Sequence, residues 1–228
     1  MDPHRQCWAT RQQEVRRLLV SGRPENALSL WRDQHAALHA RELASADTWS
    51  FQDEVLAGLS EEQLRRIADP GTHSIAWLLW HIARIEDVTM NLLVAGTAQV
   101  LDGASWLGRL GLARRDVGTA MGDSEVATIS ASLNLDSLLA YRLAVGRRTQ
   151  EIAGALGPGD LRARVDPGRI QALLASGALA DGAIGLAEAW RTWTTVRFLM
   201  MPATRHAFTH LNEARRVGDW LRQSSYAR

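Results

Sequence analysis

Three histidines carry the chemistry that this chain could perform. His81 sits in "THSIAWLLWHIARIEDVTMN", residues 72–91, and His206 and His210 in "MPATRHAFTHLNEARRVGDWL", residues 201–221. On a helix His206 and His210 lie on one face a turn apart. Such an HxxxH pair can bring two imidazole nitrogens to one ion. His81 shares its helical stripe with Trp77, Leu78, Ile85 and Val88, all apolar, so it points inward. The stripe of the pair continues through Glu213 or Ala214, Val217 and Leu221, which turns that pair inward as well.

One inward histidine needs only one hydrogen bond. Three on two helices must each find a partner, or each costs roughly 1–3 kcal/mol. A single divalent cation satisfies all three, and neutral imidazole suits Zn, Ni or Fe(II). Three protein ligands leave a coordination position open, which marks a catalytic site rather than a structural one.

Other residues bear on the same site. Glu213 follows His210 by three and can share its face, to orient a histidine, to ligate, or to act as a catalytic base. His35 and His39 form a second HxxxH beside Trp31 and Leu38. One of the two is expected at the core edge and the other in solvent, with His35 a candidate contact for a cofactor. Arg84 is a candidate for an anionic cofactor or substrate group, and Arg142 for a similar place at the rim. The stripe of His81 places Arg84, Glu86 and Asp87 at its edge or outside. Trp77 and Trp80 read as core, and His4 and His73 as structural or solvated.

The elements that must position these residues are helical almost throughout. Ala, Leu, Arg and Glu dominate, and alternating β-branched runs are missing. The pattern predicts helices over about 5–20, 25–44, 74–95, 135–156, 184–200 and from Pro202 to about 223, with breakers at "SGRPE" and "DPGTHS". Ser60 is expected to cap a short helix. Residues 96–134 and 157–183 read as long connections with short helices. The fold class is therefore all-α: a four-helix bundle with long crossover connections and additional short helices, residues 25–228, preceded by a helical extension over 1–24.

Composition removes several functions. The 26 basic residues are all Arg, against 25 acidic ones, for a net charge of +1. That balance does not suit a nucleic-acid-binding surface. Without lysine there is no Schiff-base chemistry, no Walker A loop and no kinase-type ATP lysine. Cys7 is the single cysteine, so no internal disulfide forms, in keeping with a cytoplasmic protein. No apolar run reaches the length of a membrane span, and the first residues do not read as a signal peptide.

"HSIAWLLWHIARIED" and "RHAFTHLNEA" together resemble the DinB/YfiT-like superfamily of metal-dependent enzymes. The resemblance implies a four-helix bundle with one histidine on the second bundle helix and an HxxxH pair on the last. Those positions fall on His81, His206 and His210. It also implies a divalent metal, a small-molecule substrate, and activation of a low-molecular-weight thiol, as in mycothiol-dependent isomerases and bacillithiol transferases. No membrane or nucleic-acid partner is expected, and a homodimer is compatible with such a chain. Many members carry a further histidine late in the last helix; here that stretch reads "RRVGDW". A metal-dependent hydrolase and a non-catalytic metal-binding stress-response protein are the alternatives.

Overall fold

The computed structural model describes residues 2–21, 24–44, 48–69 and 72–226. The breaker residues Gly22, Pro70 and Gly71 lie outside them. In chain order the helices are α1 (Pro3–Ser21), α2 (Pro24–Ala36), α3 (Phe51–Leu56), α4 (Glu61–Arg65) and α5 (Ile75–Asp87). There follow α6 (Trp106–Leu110), α7 (Asp123–Ser132), α8 (Leu135–Gly154), α9 (Pro158–Arg162), α10 (Pro167–Ala175), α11 (Gly185–Trp190), α12 (Thr195–Met200) and α13 (Ala207–Tyr226). Among the described residues no strand forms; one isolated bridge joins Arg164 and Thr194. The all-α expectation holds.

Four long elements enclose the site. α5 packs on α8 and on α13, and α2 packs on α8 and on the segment that leads into α13. α1 lies against α2, where Trp8 donates its indole N–H to the Gln34 carbonyl at 2.8 Å. Local signals set the helix starts. Ser60 forms a full capping box with Gln63, and Ser74 accepts the Trp77 N–H to start α5. α2 stops at Ala36, short of the expected 44, because the chain turns there into a separate short 3₁₀ segment, Arg41–Leu43.

Two π-helical segments depart from the plain helical reading. Val88–Ala95 prolongs α5, and Met201–His206 joins α12 to α13 in one continuous run. Pro202, expected to punctuate the chain, sits inside the second of these. Proline has no N–H to donate. In the same wide turn the Leu199 carbonyl accepts from side chains, the Trp31 indole at 3.0 Å and the Thr204 hydroxyl at 2.9 Å. Wide turns of this kind recur at functional sites, and this one ends on His206.

The core forms two apolar clusters, and α5 passes from one to the other between Ala83 and Ile85. All thirteen residues of α5 are buried. Arg84, Glu86 and Asp87 are therefore in the interior, not at an edge. They fall at the junction of the clusters, where internal polar partners await them. Arg84 donates to Asp87 at 3.1 Å, the Tyr141 hydroxyl at 2.8 Å, Gln99 at 2.7 Å and the Arg115 carbonyl at 2.7 Å. Asp87 also accepts the Tyr141 hydroxyl at 2.5 Å and the N–H groups of Val100 and Leu101. Arg84 thus ties the connection after α5 to the bundle. Those bonds occupy most of its donors, which removes it as a contact for a cofactor.

Candidate metal centre

His81, His206 and His210 converge. Each offers a ligand nitrogen, and the three nitrogens lie within 4.8 Å of one another. The ring centroids are 5.0 Å apart for His81 and His206, 5.2 Å for His81 and His210, and 4.5 Å for His206 and His210. α5 carries the first from the bundle interior. The π-to-α junction carries the other two, His206 as the last residue of the wide turn and His210 one turn into α13.

Two of the imidazoles are held by their outer nitrogens. His81 Nδ1 lies 2.6 Å from the Val117 carbonyl, an acceptor, so Nδ1 carries the proton and Nε2 is left to the site. His210 Nδ1 lies 2.9 Å from Glu213 Oε2, which fixes it the same way. Metal-ligating histidines are held in this fashion, by a carbonyl or carboxylate on the far nitrogen. The Val117 carbonyl comes from the long connection after α5. Its neighbour Gly118 has φ of +82°, and a Cβ there would meet Trp80 Cζ3 at 2.5 Å, so the approach requires glycine.

The rim is half-open. His210, Glu213 and His73 retain 22%, 27% and 31% side-chain exposure. Glu213 also pairs with His73 Nδ1 at 3.1 Å, and His73 stacks on Trp77 at 4.0 Å, which stacks on His81 at 4.9 Å. Burial pushes the Glu213 carboxyl up, but its bonds to His210 and His73 outweigh this and bring it down to about 2. Burial pushes His81 down to about 4 against the pull of the Val117 carbonyl. Burial, then the neighbouring imidazoles His81 and His210, hold His206 well below the ordinary range. Near neutrality His81 and His206 are therefore neutral, the form in which imidazole ligates.

A second group was not expected. His35, His39 and Glu86 also bring three ligand atoms within 4.8 Å of one another, and all three side chains are 0% exposed. The expected split of one core-edge and one solvated histidine is corrected: both are sealed, His35 stacked on Trp31 and His39 tilted against His35. Gly146 in α8 makes the room, since a Cβ there would meet His39 Nδ1 at 2.7 Å. Arg142, proposed for a rim, is instead wholly buried, bonded to Gln52 at 2.5 Å and to the Leu38 carbonyl at 2.7 Å. Glu86 escaped the sequence reading because a stripe pattern cannot rank residues on a helix buried on every side.

The donors distinguish the two groups. Gln150 accepts the Arg32 Nε–H at 3.0 Å, and its amide nitrogen donates to the Arg32 carbonyl at 3.0 Å. That orientation makes the same amide a donor to His35 Nδ1, at 3.2 Å. His35 must then carry its proton on Nε2, which donates to Glu86 Oε1 at 2.8 Å. A protonated nitrogen cannot ligate. Burial pushes the Arg142 guanidinium down to about 10, against the pull of Glu86, so it remains a cation near neutrality. The open, unprotonated nitrogens of the first group fit a cation, and the donors of the second do not.

A helical bundle with an inward three-histidine cluster on two of its long elements is the class of protein described so far. The family profile of the DinB superfamily matches residues 44–214, and the chain belongs to that superfamily. The matched span holds His81, His206, His210, Glu213, Glu86 and Arg142; His35 and His39 lie before it. No curated protein matches the chain. Among the described residues no helix is long and apolar enough to cross a membrane.

Proposed function

We propose that this protein is a metal-dependent enzyme in which His81, His206 and His210 bind a divalent cation, Zn, Ni or Fe(II), and which transfers a low-molecular-weight thiol to, or isomerises with it, a small electrophilic substrate. A cytoplasmic location suits such thiol chemistry. The observation that carries this reading is the pairing of the outer nitrogens of His81 and His210 with Val117 and Glu213, so that both imidazoles offer the other nitrogen to one point. When bound, a divalent cation lowers the pKa of a thiol or water held on it and fixes that nucleophile beside its target.

The chain's own residues have definable parts. Cys7 is remote in sequence from the cluster and lies at an exposed position on α1, so the sulfur is supplied from outside. Glu213, with its carboxyl near 2, is a poor base at neutrality. It serves instead to orient His210 and to link it to His73 at the rim. Trp77, stacked between His73 and His81, excludes water from one wall. The test is elemental analysis of the purified protein beside His81→Ala, followed by a thiol-transfer assay. One ion per chain in the wild type and none in the variant is expected. A wild-type protein that binds none of the three metals would remove the reading.

A further inference from the structure

The sealed group beside the triad leaves an unusual set of polar atoms without partners. Among the described residues these include His39 Nδ1 and Nε2, Glu86 Oε2, Arg142 Nη1 and His206 Nδ1. Buried polar atoms are rarely left so. These belong to a single neighbourhood. Glu86 lies five residues beyond His81 on α5, and α5 and α2 both pack on the segment that ends in His206. His39 Nε2 is 3.2 Å from Glu86 Oε2, although poorly aligned for a hydrogen bond. The charges of Glu86 and Arg142 both act on His206.

The three triad histidines also differ in one respect. His81 has the Val117 carbonyl and His210 has Glu213, whereas Nδ1 of His206 is buried and unpaired. If His206 ligates through Nε2, Nδ1 bears a proton that needs an acceptor. The arithmetic of the neighbourhood supplies one. A water bridging these atoms would accept from His206 Nδ1–H and from Arg142 Nη1–H, and donate to Glu86 Oε2 and to His39. That is four partners, within the two to four that hold a buried water.

We propose that Glu86 is the positioning residue for His206: through one internal water its carboxylate holds the Nδ1–H of that imidazole, with His35, His39 and Arg142 fixing the carboxylate. This rests on the reading of the triad as a metal site. It gives the third ligand the same kind of outer partner as the other two, and it makes the sealed group part of the metal centre rather than a second one. His35 and His39 precede the family match, so the carboxylate inside the matched span is set by residues outside it.

The test uses the full chain and Zn2+, with chelator competition for affinity and Co2+ absorption for geometry. Glu86→Gln keeps the shape and removes the charge. We expect it to bind Zn2+ about 10–100-fold more weakly than wild type, with unchanged helical circular dichroism. A role confined to packing would lower thermal stability and leave affinity intact, which would overturn the proposal. Nitrogen-15 spectra of the zinc-loaded wild type give an answer that needs no variant. His206 is expected to show Nε2 ligation and a slowly exchanging Nδ1 proton; Nδ1 ligation or a freely exchanging proton overturns the assignment. Two zinc ions per chain, the second lost in His39→Ala, would make Glu86 a ligand and overturn it too. A wild type without zinc affinity removes this proposal together with the metal reading, whereas normal wild-type affinity with an unaffected Glu86→Gln removes this proposal alone.

Discussion

His81, His206 and His210 meet at a rim where His210 keeps 22% of its side-chain exposure, while His35, His39 and Glu86 keep none. Both groups put two histidines four apart in the chain and draw the third member from α5. What separates them is the partner on each outer atom. In the first group a carbonyl and a carboxylate accept from the outer nitrogens and leave the inner ones bare. In the second an amide locked by Arg32 donates to the outer nitrogen of His35, and the inner one must then donate to Glu86. The same residue types become ligands or donors according to which hydrogen-bonding group stands behind them. A spacing of four brings two imidazoles together in each group; the tautomer decides their chemistry.

That contrast can be broken by experiment. The largest effect is expected in the sealed group. Arg142→Met removes the cation facing Glu86 and leaves a carboxylate buried without it, so global stability should fall by about 3–5 kcal/mol in denaturant melts. A loss below about 1 kcal/mol, the range of a surface ion pair, would show that Glu86 does not depend on the guanidinium.

Acid should weaken the metal-free fold through both groups. His39 is pushed down to about 4 by burial, and His81 likewise to about 4. The unfolded chain, with ordinary imidazoles near 6.5, binds protons first. Stability is therefore full above about pH 6.5 and is lost as the pH falls towards 4, by about 3 kcal/mol for each histidine. His39→Gln should remove one share of that dependence. A melting temperature flat between pH 6.5 and 4 in the metal-free protein would show that neither imidazole is held neutral by the fold.

Glu213→Gln probes the rim. The metal should stay bound, because three imidazoles remain, while thiol-dependent turnover falls by about 10–10³-fold, since the amide has one acceptor oxygen where the carboxylate served both His210 and His73. Wild-type turnover in that variant would take Glu213 out of the reaction.

The helical class, the inward face of each triad histidine and the cap at Ser60 follow from patterns along one element at a time. Residues four apart share a face, a serine before an acidic turn accepts backbone N–H groups, and apolar neighbours turn His81 inward. None of these needs knowledge of the rest of the chain. The match to the DinB superfamily, residues 44–214, includes all three of these histidines.

Glu86, Arg84 and the depth of His35 and His39 were decided only by tertiary packing. The stripe through His81 assumes that a helix has one wet face, and α5 has none: α8, α13 and the connection at 96–122 cover it. Once a helix is enclosed, periodicity no longer sorts its residues. A buried charge then survives only where other elements bring partners to it. For Glu86 these come from α2 and α8, and for Arg84 from Tyr141 and Gln99. Pro202 follows the same logic. As a local signal it breaks a helix, and here it sits in a wide turn pinned by a tryptophan from α2 and the Thr204 hydroxyl on the Leu199 carbonyl, and the chain runs on through it to His206.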